Sequence, residues 1–321
     1  MNKSVPPVGT GIAPDKSGKT WSRPKKLKAE SENLAGYVFM SPWLIGFLLL
    51  TAYPFFYSFY LSFTDYSLLS APKWIGLSNY IRIFTNDDVF LQSLKVTFVF
   101  VLVSVPIRMI FSLLVAILLN KNSRGMSFYR TAFYFPSLIG GSIAVAALWR
   151  NMFGRTGYIN GVLEVFGIQG MGWISHPDTA LGTLIILNVW QFGSAMVIFL
   201  AGLKQIPAEM YESASIDGAG KTRKFLNITL PLLSPVIFFN FILGTINAFQ
   251  NFTPAYIITQ GGPMNSTYMY ALYLYEKGFR QFQMGYASTL AWILLVIVAI
   301  LTGINFLASN RWVHYESGGD N

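Results

Sequence analysis

The feature that most constrains the fold is a series of long apolar segments that recurs along the chain. A membrane-spanning helix needs about 20 mostly apolar residues, and six segments reach that length. Only 12% of the residues are charged, about half the share found in soluble domains. The sequence therefore predicts an all-α, polytopic membrane protein of six transmembrane helices, near residues 37–63, 92–119, 131–152, 181–203, 232–253 and 286–308.

The placement of Lys and Arg between these segments predicts the orientation. Basic residues concentrate before the first segment, in the loops after the second and fourth, and after the last. Loops rich in Lys and Arg stay in the cytoplasm, so both termini are expected there. The sequence is divided into a basic cytoplasmic tail expected to be disordered (1–36), a six-helix transmembrane domain (37–308) and a cytoplasmic C-terminal tail (309–321).

Motif spacing argues against an enzyme active site. The chain has no Cys, and its two His residues, His176 and His314, lack a metal-ligand spacing. Two stretches, "SGKT" and "AGKT", end like a phosphate-binding loop, but each lacks the first glycine and neither follows a buried strand. We expect no catalytic residue, no metal and no cofactor on this chain. Asp87 and Asp88 are interpreted as solvated turn residues.

The loop between the fourth and fifth segments, residues 204–231, is more elaborate than a simple connection. Pro207 and the acidic residues after it favour the start of a short helix, and Asp217-Gly218 favours its end. A second short segment is expected from Lys221 to Leu230, with Leu230-Pro231 marking the entry into the fifth span. Such a two-part cytoplasmic elbow predicts a surface that docks on a partner protein.

The elbow also resembles a known motif. "ESASIDGAG" followed by "ITLP" is similar to the E-A-A-x-x-x-G-x(9)-I-x-L-P loop of ABC importer permeases, with Ser213 in place of the second alanine. Three further stretches, beginning "SPWLIGF", "FYRTAFYF" and "ITQGGP", resemble the sugar-type branch related to the larger maltose permease subunit. The residues at the motif's positions are Glu212, Ala214, Asp217, Gly218, Ala219, Ile228 and Pro231.

This resemblance implies a type I ABC importer permease fold with a cytoplasmic coupling helix, in the bacterial inner membrane. It implies four kinds of partner: a second permease subunit, two ATPase subunits that bind the ATP and Mg, an extracytoplasmic solute-binding protein, and the lipid bilayer. The transported solute would be a carbohydrate. An ion-coupled secondary transporter is the alternative, although such proteins typically show internal repeats and intramembrane acids. A structural membrane protein is a third class, but it would not need polar faces on adjacent spans.

Polar residues on the fourth and fifth segments predict a solute pathway. Polar side chains are costly in hydrocarbon and usually face the protein interior. Amides can bind sugar hydroxyls, and aromatic rings can stack on sugar faces. Hydrogen bonding between helices is the alternative role for these residues. The pathway candidates are Asn188, Trp190, Gln191 and Ser194 on the fourth segment, and Asn247, Gln250 and Asn251, with Asn240, on the fifth.

Arg108 is a cation near the middle of the second segment. A cation at mid-span costs about 2.5–3.5 kcal/mol on insertion scales, and Arg108 lies too far from the cytoplasmic end to reach it easily. Two interpretations stay open. The guanidinium caps carbonyl groups freed by Pro106, or it faces an anionic solute such as an acidic oligosaccharide built from uronic acids.

Overall fold

The computed structural model describes residues 27–121 and 123–314, with side chains from residue 36 onward. Most of the predicted N-terminal tail and residues 315–321 of the predicted C-terminal tail lie outside these ranges. The chain divides into two units at residues 56 and 57. In the first unit a long helix predominates, and Trp43 stacks on Phe47 with ring centroids 5.5 Å apart.

The described chain is almost entirely helical, with one short two-stranded sheet of Thr64–Asp65 and Lys73–Trp74. Four π-helical turns interrupt the helices, at Leu48–Ala52, Phe225–Thr229, Ala255–Thr259 and Glu276–Arg280. The α-helices are α1 Leu27–Phe47, α2 Tyr53–Ser62, α3 Ser78–Thr85, α4 Asp88–Leu119, α5 Met126–Ile139, α6 Ile143–Met152, α7 Tyr158–Val165, α8 Pro177–Trp190, α9 Gly193–Gln205, α10 Ala208–Ile216, α11 Lys221–Lys224, α12 Leu230–Phe249, α13 Tyr270–Tyr275 and α14 Met284–Ser309.

Within residues 27–121 and 123–314, four helical stretches are long and apolar enough to cross a membrane: Gly36–Ser62, Asp88–Leu119, Lys221–Phe249 and Met284–Ser309. Two further pairs of helices reach that length only together, α5 with α6 and α8 with α9. Counting each pair as one span gives the six spans that the sequence predicts.

The third span, predicted near 131–152, consists of two helices rather than one. Helices α5 and α6 meet at 97°, across a break at Gly140-Gly141. Gly lowers helix stability, and Ser142 caps the new helix because its Oγ accepts a hydrogen bond from the backbone N–H of Val145 at 3.3 Å. The predicted third span is therefore present as a bent pair of helices.

The fourth span also bends, by 41° between α8 and α9. Polar groups of neighbouring helices satisfy the backbone atoms freed at the break. Ser137 donates its hydroxyl to the carbonyl of Gln191 at 3.0 Å and accepts from the N–H of Ser194 at 3.0 Å. The Ser112 hydroxyl lies 3.1 Å from the carbonyl oxygen of Phe192 and 2.6 Å from that of Arg108, and its one proton is shared between the two. The backbone groups freed at the bend therefore pair with side chains of the neighbouring helices α4 and α5.

Helix α4 is central to the second unit, where it packs against α8, α9 and α12. Its buried apolar side chains, such as Phe100 and Val105, share one cluster with α8 and the end of α12. Further along, Ala116 joins a second cluster with α9 and the start of α12. The fourth and fifth spans, which the elbow connects, therefore contact the same helix.

Asp87 is not the solvated turn residue that the sequence suggested. It caps α4 by accepting the N–H of Phe90 at 2.9 Å, and its other carboxylate oxygen accepts hydrogen bonds from Tyr273 and Tyr286. Burial alone would raise the pKa of the Asp87 carboxyl, but these three hydrogen bonds and the charge of Lys277 outweigh burial and lower that pKa. Asp87 therefore ties the start of α4 to Tyr273 of α13 and to the start of α14.

Candidate functional site

The predicted coupling helix is α10, Ala208–Ile216, which begins one residue after the predicted start at Pro207. It ends as the Asp-Gly pair predicts. Gly218 has a φ of +75°, a left-handed conformation that glycine adopts without steric cost. The N–H of Ala219 donates to the carbonyl of Ala214 at 2.9 Å, which closes the last turn.

The seven motif residues separate into two sets by exposure. Glu212, Asp217 and Gly218 are exposed, whereas the other four are half-buried. Ile216, which the motif does not include, lies between Glu212 and Asp217 in sequence, and its side chain is 88% exposed. The exposed end of α10 therefore presents an apolar side chain next to the carboxylate of Asp217. The half-buried set is Ala214, Ala219, Ile228 and Pro231.

The second half of the elbow differs from the prediction. Lys221 to Leu230 is not a separate short segment, because the helical stretch Lys221–Phe249 is continuous into the fifth span. A π-helical turn at Phe225–Thr229 precedes Pro231. Pro231 cannot donate a backbone hydrogen bond, and a local π turn is one way in which helices accommodate such a residue.

Two side-chain hydrogen bonds hold α10 against this continuous helix. Tyr211 Oη lies 2.9 Å from Thr229 Oγ1, and Lys224 Nζ donates to Ser215 Oγ at 2.5 Å. Helix α10 is therefore bonded directly to the helix that leads into the fifth span.

Inside the spans, a cavity of 90 Å³ gathers residues of three helices. It contains three of the predicted pathway residues, Arg108 from α4, Ser194 from α9 and Asn247 from α12, together with Asn240. Asn240 Nδ2 donates to the carbonyl of Val236 at 3.1 Å. The rest of the wall is apolar, formed by Val105, Met109, Ala195, Ile198, Leu243 and Gly244.

The structure does not place the remaining pathway candidates around this cavity. Gln191 Nε2 donates to the carbonyl of Gly140 at 3.0 Å and so ties the break of the fourth span to the break of the third. Trp190 packs against Trp149, with centroids 5.8 Å apart. The Oδ1 atom of Asn188 is buried and has no hydrogen-bond partner among the described residues.

The fifth span ends earlier than predicted. Helix α12 stops at Phe249 rather than at residue 253, so Gln250 and Asn251 lie beyond it. Gln250 is exposed, and Asn251 has a buried Oδ1 that no described residue contacts by a hydrogen bond. These two residues therefore do not continue the polar face that Asn240 and Asn247 form on the helix.

The positions of Gln191 and Asn247 indicate two different roles: Gln191 holds the third and fourth spans together, and Asn247 lines the cavity. We expect Gln191→Leu to lower the amount of assembled protein, because it leaves the Gly140 carbonyl unpaired, at a cost of about 1–3 kcal/mol. We expect Asn247→Leu to insert normally but to lower solute-stimulated transport several-fold. Size-exclusion chromatography measures assembly, and uptake into vesicles measures transport. Equal assembly of both variants would contradict the assignment of Gln191.

Comparisons with known proteins agree with this architecture. The sequence profile of the family described as binding-protein-dependent transport system inner membrane component matches residues 85–313. A probable ABC transporter permease protein of Bacillus subtilis (strain 168), YesP, is 54% identical over 91% of this chain and 96% of its own length. The lactose transport system permease LacF of Rhizobium radiobacter is 34% identical over 86% of this chain and 94% of its own length.

A solved structure shares the fold. A chain from the crystal structure of a bacterial alginate ABC transporter, in complex with a periplasmic protein bound to an alginate pentasaccharide, superposes with a TM-score of 0.77. The match covers 89% of this chain and 97% of the other, at 21% sequence identity.

Proposed function

The chain belongs to the family of binding-protein-dependent transport system inner membrane components, and we propose that it is one permease subunit of an ATP-driven importer of carbohydrates. Relatives named for their solutes carry lactose, starch degradation products or arabinooligosaccharides. The shared chemistry of these solutes is that of sugars. The proposed solute is therefore an oligosaccharide, delivered by an extracytoplasmic binding protein.

The observation that carries the proposal is the elbow. It presents Glu212, Ile216 and Gly218 to the outside at the spacing of the coupling motif. Behind this exposed surface, two hydrogen bonds connect α10 to the fifth span. The family's arrangement then gives each element a role. Partner ATPases bind the ATP and Mg and hold α10, their closure moves the fifth span, and a second permease subunit completes the pathway.

The proposed orientation follows from the same elbow. Because ATPase subunits are cytoplasmic, the loop that contains α10 faces the cytoplasm. An even number of spans then leaves both ends of the transmembrane region on that side, in agreement with the distribution of Lys and Arg.

Reconstitution into liposomes tests the proposal. The chain is co-expressed with its partner permease and ATPases, and the binding protein is added outside with a labelled oligosaccharide. We expect uptake that requires internal ATP and disappears when the ATPase subunits lack their phosphate-binding Lys. Uptake driven by a proton or sodium gradient without ATP would instead establish the secondary-transporter alternative.

A further inference from the structure

Arg108 has no counter-charge within the described part of the chain. Its Nε atom is buried without a hydrogen-bond partner. Among the described residues, neither the ion pair of Arg280 with Glu276 nor the contact of His176 with Asp178 involves it. The three predicted spans around it, residues 92–119, 181–203 and 232–253, contain neither Asp nor Glu.

The carbonyl-capping interpretation of Arg108 finds no support in its contacts. Pro106 removes one backbone donor from α4, but no hydrogen bond joins the Arg108 guanidinium to a carbonyl of the described chain. Arg130, by contrast, is an arginine that does cap a backbone carbonyl in this protein. It donates from Nε and Nη2 to the carbonyl of Leu119, at 3.2 and 2.8 Å, at the end of the same helix.

The cavity beside Arg108 has the composition of a site for one charged group. Ser194, Asn240 and Asn247 bring a hydroxyl and two amides, which can bind oxygen atoms without adding charge. The remaining wall is apolar and strengthens electrostatic attraction by excluding water. A volume of 90 Å³ admits a carboxylate with a few waters, since one water needs only about 10–15 Å³ on this measure.

We propose that Arg108 binds a carboxylate of the transported oligosaccharide, so that the solute is a sugar acid rather than a neutral sugar. A guanidinium matches a carboxylate through two parallel hydrogen bonds. The pairing is transient, because it forms only while the solute passes the cavity that α4, α9 and α12 enclose. This inference rests on the proposed function and names the class of solute for the same pathway.

The test uses the complete complex in liposomes and pairs of trisaccharides. Each uronic-acid trisaccharide (of mannuronate, galacturonate or glucuronate) is compared with its carboxyl-reduced, neutral counterpart, and each is presented with a binding protein whose affinity is measured separately. We expect at least one acidic trisaccharide to stimulate ATP hydrolysis. Arg108→Gln should lower the ratio of acidic to neutral response about tenfold, and Arg108→Lys should lower it less. Lys95→Gln removes an exposed cation of the same helix and should leave the ratio unchanged.

A second measurement separates this role from a structural one. With no anion bound, Arg108→Gln removes an unpaired cation, so the melting temperature of the solute-free complex should stay level or rise. A lower melting temperature with an unchanged ratio would place an acid of the partner permease opposite Arg108 and overturn the proposal. So would a wild-type response to the neutral trisaccharides alone. If no carbohydrate is transported at all, the proposed function itself fails.

Discussion

Replacing Gly218 with Val is expected to lower ATP-driven transport at least tenfold while the chain still inserts into the membrane. The φ of +75° at this position is strongly unfavourable for a β-branched residue. The turn after α10 must therefore change its path, and Asp217 and Ile216 move with it. In addition, apart from the two chain neighbours, no described residue has an atom within 4 Å of a Cβ built on Gly218, so the added side chain projects into the space that we assign to a partner protein.

Two further substitutions show which of these effects matters. Gly167 has a φ of +73° and equally open surroundings, but it follows α7 in the predicted external loop. Gly167→Val imposes the same backbone strain away from the elbow and should leave transport near the wild-type rate. Gly220 has a φ of −70°, which alanine adopts easily, and its surroundings are open. A loss of transport in Gly220→Ala would therefore report docking clearance without backbone strain.

Co-purification of the ATPase subunits and solute-stimulated ATP hydrolysis are the two measurements. We expect both to fall in Gly218→Val, with membrane insertion at the wild-type level. Transport at the wild-type rate in this variant would mean that the elbow is not the coupling surface.

The sequence predicted the number of spans and the coupling helix because both depend on local signals. Long apolar segments and a glycine at a helix end act within a few residues. The break of the third span had such a signal too, in Gly140-Gly141-Ser142, but the surrounding apolar residues obscured it. The break after Trp190 is different. It depends on hydroxyl groups of Ser112 and Ser137, which lie far away in sequence.

The bend of the fourth span also explains why its polar residues separate. A spacing of three places Asn188, Gln191 and Ser194 on one face only if the helix is continuous. The helix stops at Trp190 and restarts at Gly193, so Ser194 reaches the cavity while Gln191 binds the third span. On the fifth span the helix is unbroken between Asn240 and Asn247, and these two residues line the same cavity, whereas Asn251, the third member of the predicted face, lies beyond the end of the helix.

The fifth span joins the elbow to the cavity, because its start is bonded to α10 and its middle lines the cavity. Helix α10 is bonded to the π turn at Phe225–Thr229, and the helix that follows contains Asn240 and Asn247. Gly244 lies between these two residues. A Cβ there would be 3.3 Å from Val105 of α4, so α12 approaches α4 closely beside the cavity. A shift of the fifth span along α4 would therefore change the cavity that contains Arg108.

Gly193 lies at the bend of the fourth span, where that span packs directly against the third. A Cβ built on Gly193 would lie 2.6 Å from the carbonyl oxygen of Phe133 and 2.7 Å from the Cα of Tyr134. These are backbone atoms of α5 and cannot rotate away. We therefore expect Gly193→Ala to destabilise the protein by about 1–3 kcal/mol or more, the usual cost of overpacking.

Gly182→Ala is the matched control, because it makes the same chemical change in the other half of the same span. Outside its own helical turn, no described residue has an atom within 4 Å of its Cβ position, and Ala in a helix interior is favoured over Gly by about 1 kcal/mol. The two variants should thus change the melting temperature of the purified complex in opposite directions. Gly193→Ala should also lower transport, because the displaced break moves Ser194 at the cavity. Equal melting temperatures for both variants would mean that the third and fourth spans do not pack against each other at Gly193.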